Sequence, residues 1–183
     1  MKQSSICVFC GSRVGNHPDY EAAAKEFGGR FATNNWRLVY GAGDVGLMGA
    51  VARAAQDGGA ETFGVIPTHL LKKEVGKTDL TRFVVTENMH ERKKVMFMNS
   101  DAAVILPGGP GTLDEFFEVL TWRQLGLHDK PIVILNIQDY WTPLLDVLKN
   151  FPNQGFADES ILSYFTVVTD VEALETALKT SLG

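Results

Sequence analysis

The sequence predicts a doubly wound α/β domain, a mainly parallel sheet of about seven strands with helices on both faces. Residues 1–183 read as one such domain. Short β-branched runs alternate with helix-period segments along the whole chain. The runs "CVF", "VVT" and "AVIL" are continuously apolar, as strands covered on both faces must be. Each glycine-rich turn falls just after a strand, at the carboxyl edge where such sheets bind ligands.

In chain order, the apolar run Ile6–Cys10 is the first expected strand, and the amphipathic segment Pro18–Phe31 the first helix. Arg37–Tyr40 ends in a glycine turn that opens a helix over Gly46–Gln56. Thr62–Ile66 and Arg82–Val85 are the next strands, separated by Pro67–Leu80, the least regular stretch, expected over a sheet edge. A helix over Glu87–Asn99 leads to the strand Ala102–Leu106. The third glycine turn then opens a helix over Thr112–Leu125. Strand Pro131–Leu135, helix Tyr140–Asn150, strand Phe165–Val168 and helix Asp170–Leu182 complete the plan.

Composition narrows the function. With 183 residues, 45% of them hydrophobic, the chain can bury about 70% of its unfolded surface. A formal net charge of −5 argues against a general nucleic-acid binder, which needs a basic footprint. No apolar run reaches the length of a membrane span. The start, "MKQSSICVFCGS", is broken by glycine too early for a signal peptide, so the expected compartment is the cytoplasm. Cys7 and Cys10 have C-x-x-C spacing but sit within a strand pattern, where residues three apart face opposite ways. Two buried structural thiols are expected.

Three turns deserve weighing. The first is "CGSRVGN". The second, "YGAGDVGLMGA", matches G-x-G-x-x-G at Gly41, Gly43 and Gly46. A dinucleotide site also needs an acid at the end of the following strand, where Ile66 and Pro67 stand instead. The expected use of these glycines is close approach to a mononucleotide, with a tight turn as the alternative. The third, "PGGPGT", can present backbone N–H groups from Gly108, Gly109 and Gly111, with Thr112 beside them, at the positive end of a helix. No lysine follows, so it is not a Walker A loop. A capping box with Thr112 as N-cap and Glu115 reaching back explains Thr112 and Glu115 but not three preceding glycines.

In "TENMHERKKVMFM", Arg92 lies three residues after Met89 and four before Met96, on one helical stripe. A charge there either snorkels to water or is buried against an anionic partner, because stranding it costs about 3–5 kcal/mol. His90 and Lys94 read as solvated; Lys93 fits either face.

"PGGPGTLDE" at 107–115, with "MHERK" at 89–93, resembles the LONELY GUY (LOG) family of phosphoribohydrolases, whose signature is P-G-G-x-G-T-x-x-E. "YGAGDVGLMG", "CGS" and "TWRQLGLHDKPIVILN" are also similar to it, so the likeness spans Ile6 to Phe156. Ala42 departs from the family's glycine and is expected to add a methyl near the pocket. The resemblance implies a homodimeric Rossmann-like fold. It also implies hydrolysis of nucleoside 5′-monophosphates, cytokinin ribotides and AMP among them, to free base and ribose 5-phosphate. By position it implies Glu115 and Arg92 as the catalytic pair. Gly109, Gly111 and Thr112 match the phosphate cradle, with Gly108 beside them in the expected binding set, and Glu74, Lys93 and Thr121 match positions near the substrate. Ser12, Gly43 and Met89 complete the expected binding set. No metal or other cofactor is implied. Nothing in the sequence supports the lysine-decarboxylase label that some relatives carry.

Cleaving an N-glycosidic bond builds positive charge on the ribose. A carboxylate one turn past a phosphate cradle stands near that ribose, where it can stabilise the cation and orient water. Asp114 points about 100° away on a helix, which leaves Glu115. The alternative is a nucleotide carrier or sensor on the same fold without catalysis.

Overall fold

A computed structural model describes residues 3–71 and 77–183. Seven strands form one sheet: β1 Ser4–Phe9, β2 Trp36–Tyr40, β3 Thr62–Pro67, β4 Arg82–Thr86, β5 Ala102–Ile105, β6 Ile132–Leu135 and β7 Thr166–Val168. Every pairing is parallel, in the order β4-β3-β2-β1-β5-β6-β7. The described residues hold six α-helices, five between strands and the last after β7: α1 Pro18–Thr33, α2 Gly46–Asp57, α3 Met89–Met98, α4 Pro110–Gln124, α5 Thr142–Asn153 and α6 Val171–Leu182.

The alternation of side chains along the strands divides the core into two layers. Ile6 and Val8 pack with α1, α2 and α6, through residues such as Phe27, Val51 and Leu174. Cys7 and Phe9 face the other way, onto Met96 of α3, Phe116 of α4 and Leu148 of α5. Cys7 and Cys10 accordingly fall in different layers, both buried and unbridged. Burial holds the Cys7 thiol well above its ordinary range, and the charge of Glu115 adds to this. No helix among the described residues is long and apolar enough to cross a membrane.

The chain reverses direction across the sheet between β1 and β5, and the site is built there. Gly11, just past β1, donates its N–H to the Pro107 carbonyl past β5 at 3.0 Å. Its own carbonyl accepts from Leu47 at 3.0 Å and Met48 at 3.4 Å, in the first turn of α2. One residue therefore binds all three glycine turns together. Gly46, at φ +61°, lies so close that a Cβ would stand 2.2 Å from the Ser12 carbonyl carbon.

Three expectations need correction. The fourth helix begins at Pro110 with Gly109 as N-cap, so Thr112 is not a cap and the capping-box reading falls. Proline at the first helical position starts the helix without its missing N–H being felt. The second glycine turn, expected to approach a mononucleotide, follows the tight-turn alternative: Gly11 caps α2 and Gly46 lies against Ser12. The fifth helix starts at Thr142 rather than Tyr140, which leaves Tyr140 at the exit of a short 3-10 turn.

Gly46→Ala combines a left-handed backbone with a main-chain clash. We expect it to lower stability by more than about 2 kcal/mol in urea titration. Wild-type stability would contradict the packing of these turns.

Candidate active site

Helix α3 sets the first catalytic candidate. Asn88 caps it, accepting the Glu91 N–H at 3.0 Å, and Glu91 in return accepts from Glu87 at 2.9 Å. Fixed this way, α3 turns Arg92 inward, and its side chain does not snorkel: it is only 4% exposed. Nε donates to the Val65 carbonyl at 3.1 Å and Nη2 to the Gly41 carbonyl at 2.7 Å. Nη1 stands 3.8 Å from the Met89 sulfur. Gly41 must lack a side chain, since a Cβ would stand 2.0 Å from Nη2. Two strand-end carbonyls thus hold the guanidinium fork in place.

Helix α4 supplies the second candidate and the candidate anion cradle. Among the described residues no side chain caps its N-terminus, and Gly109, Gly111 and Thr112 at that end line a cavity, where first-turn N–H groups suit an anion. A Cβ on Gly109 or Gly111 would meet nothing within 4 Å. Neither glycine is therefore required by the protein's own packing; what their small size leaves is space above the helix end. Gly108 differs, because a Cβ there would stand 2.0 Å from Thr112 Oγ1. Its role is to let the turn close on buried Thr112.

Three carboxylates follow the cradle, and one lysine sorts them. Lys93 is 8% exposed. It pairs with Asp114 at 3.0 Å and, more closely, with Glu118. Burial alone would lower its pKa, but hydrogen bonds and charge from Glu118 and Asp114 outweigh burial and raise it. Lys93 stays charged and is shared by two acids, offsetting one of their two negative charges. Glu115, one position on from Asp114, is half-buried and lines the cavity.

The cavity has two lobes that share Gly11, Ser12, Gly109 and Pro110. The smaller, about 210 Å³, is walled by Cys10, Met48, Leu70, Met89, Arg92, Thr112 and Glu115. Seven of the expected residues, Ser12, Met89, Arg92, Gly109, Gly111, Thr112 and Glu115, thus meet there. Lys93 and Thr121 do not: Lys93 serves α4, and Thr121 borders a separate groove with Phe117, Phe151 and Phe156. Gly43 is buried outside the lining, and Glu74 lies outside the described residues. The Ala42 methyl is turned from the cavity toward Gly64, in a left-handed backbone of φ +56°. Cys10, Met48 and Leu70 were not anticipated; being apolar, they carry no chemical signal in sequence. Among the described residues no group of His, Cys, Asp or Glu could hold a metal ion.

Residues 48–178 match the family model described as "Possible lysine decarboxylase". The chain is 44% identical over 155 residues to Arabidopsis thaliana cytokinin riboside 5′-monophosphate phosphoribohydrolase LOG1, covering 85% of this chain and 73% of that protein. It is 42% identical over 174 residues to the probable cytokinin riboside 5′-monophosphate phosphoribohydrolase LOG4 of Oryza sativa subsp. japonica, covering 95% and 76%. In three dimensions it resembles the molybdenum cofactor carrier protein of Chlamydomonas reinhardtii, with TM-score 0.75, 23% identity and 99% of both chains covered. At that identity the likeness speaks for the fold.

Gly111→Ala should separate stability from binding. Alanine at this open helical position should leave stability unchanged or up to about 1 kcal/mol higher. AMP affinity in calorimetry should fall at least about tenfold. Unchanged affinity would remove the cradle from α4.

Proposed function

We propose, from the premise that this chain belongs to the family of the LOG phosphoribohydrolases, that it hydrolyses the N-glycosidic bond of nucleoside 5′-monophosphates. The products are free base and ribose 5-phosphate, and N6-substituted adenylates and AMP are the substrates. The observation that carries the reading is Glu115 and buried Arg92 sharing one lobe with the uncapped end of α4.

The chemistry follows from the positions. The substrate phosphate sits on the first-turn N–H groups of α4, where the helix end favours an anion. The ribose then extends along α4 toward Glu115. As the bond from C1′ to the base nitrogen breaks, the sugar becomes cationic and the Glu115 carboxylate stabilises it. Glu115 also orients the attacking water and takes its proton, while the departing base gains one from solvent. Arg92, held on Gly41 and Val65, offers its fork to substrate oxygens and keeps the positive field that favours an ionised Glu115. Lys93 offsets part of the repulsion from Asp114 and Glu118.

A carrier or sensor would use the cradle but has no need of Glu115. Glu115→Gln separates the two: it should keep AMP affinity within about threefold and lower base release at least about 100-fold by chromatography. Near wild-type release would refute the role of Glu115.

The same reading takes the enzyme as a cytoplasmic homodimer. Leu125, Leu127 and Phe156 are 66%, 68% and 86% exposed, apolar area that a second copy would cover. Light scattering should give twice the 20.1 kDa chain mass; a monomer at micromolar concentration would contradict this.

A further inference from the structure

The larger lobe of the cavity, about 350 Å³, contains neither Arg92 nor Glu115. It opens from the other side of the same cradle, sharing Gly109 and Pro110 with the reactive lobe. Its volume lies within the range of small-molecule sites. Resting on the hydrolase reading above, the geometry points to a second binding compartment, for a ring-bearing group esterified to the substrate's own phosphate. The ligand class is a nucleoside 5′-phosphodiester of the dinucleotide type, with one nucleoside presented to Glu115 and the second ring lodged here.

The walls are built for an uncharged ring. Tyr20 and Tyr140 meet edge to face at 5.4 Å and 68°, and Val14 and Leu47 add apolar surface. The Tyr140 hydroxyl donates to the Gly108 carbonyl. No peptide bond among the described residues is cis, so the N–H of Gly109 points opposite to the Gly108 carbonyl. The polar end of Tyr140 is thereby satisfied by main chain, and the donor on the same peptide is aimed away from this compartment. A phosphate is better placed on the shared rim and a neutral ring against the tyrosines. Arg13, exposed at the mouth, suits a remaining phosphodiester charge.

The tyrosine wall is held at a cost. Gln138 and Asp139 both adopt left-handed backbones, at φ +53° and +55°, a conformation disfavoured by about 1–2 kcal/mol for glutamine and less for aspartate. Gln138 donates to the Asp19 carboxylate at 2.6 Å, and Tyr140 stacks edge-on against Trp141 at 4.7 Å. A strained turn that persists beside a ligand cavity, fixed from both flanks, is the pattern of a preorganised site. Chemistry at the anomeric carbon is unchanged by the second ester. Water oxygen bonds to C1′, the bond to the base nitrogen breaks, the base leaves with a proton, and the phosphodiester stays intact.

The test compares two esters of adenosine 5′-monophosphate of equal charge, the phenyl and the methyl ester, by calorimetry. Wild-type protein should bind the phenyl ester at least about fivefold more tightly. Val14→Trp, at a site 44% exposed, fills the compartment without touching the cradle. It should bring the two affinities within about twofold while AMP affinity holds. Tyr20→Leu should do the same by removing one ring. Equal affinities in wild type, no binding of either ester, or a phenyl preference that survives both substitutions would each overturn the compartment. AMP hydrolysis by wild type is read separately. Its absence defeats the hydrolase reading, whereas intact hydrolysis with equal ester affinities defeats the compartment alone.

Discussion

Burying one guanidinium is the constraint that organises the site. Arg92 cannot return to water once α3 packs on the sheet, so its charge must be met inside. Two carbonyls at the carboxyl ends of the strands meet part of it, from Val65 and Gly41. This requires glycine at 41, because any side chain would occupy the space of Nη2. The same turn is drawn in by Gly11, which joins it to the turns after β1 and β5. The fixed fork, the glycine and the hydrogen bonds of Gly11 are one arrangement seen from three residues.

Charge is then divided along two helices. The end of α4 is positive and uncapped, suited to an anion. Of the acids that follow, Asp114 and Glu118 are absorbed by a lysine from α3. Glu115 remains with the cavity. Acids beside an anion site are thus not a contradiction. On the proposed reading one of them serves the cation that forms on the sugar, while the other two share the charge of Lys93.

Much of this was legible in the letters. The strands were plain because parallel strands buried on both faces leave unbroken apolar runs, as in "AVIL" at 103–106. Glycine turns at strand ends located the ligand edge. Two local patterns misled. Thr112 and Glu115 imitate a capping box, yet Pro110 starts the helix two residues earlier. G-x-G-x-x-G at 41–46 imitates a nucleotide loop, yet Gly41 makes room for Arg92 and Gly46 for the main chain of Ser12 and Arg13. The first turns on a proline two residues upstream, the second on contacts between segments distant in sequence. The side chain of Arg92 was open for the same reason: helical spacing places it on a stripe but cannot say what covers that stripe. The aromatic lobe of Tyr20 and Tyr140 left no pattern, since those residues come from α1 and from the turn before α5.

The central claim is spatial: the phosphate rests on the end of α4 while the anomeric carbon faces residue 115. A crystal structure of the Glu115→Gln variant with adenylate bound tests it directly. The account expects the phosphate within hydrogen-bond reach of the Gly109, Gly111 and Thr112 N–H groups, and C1′ within about 4 Å of the residue 115 side chain. A phosphate seated on the second glycine turn, or a ribose pointing away from residue 115, would contradict it.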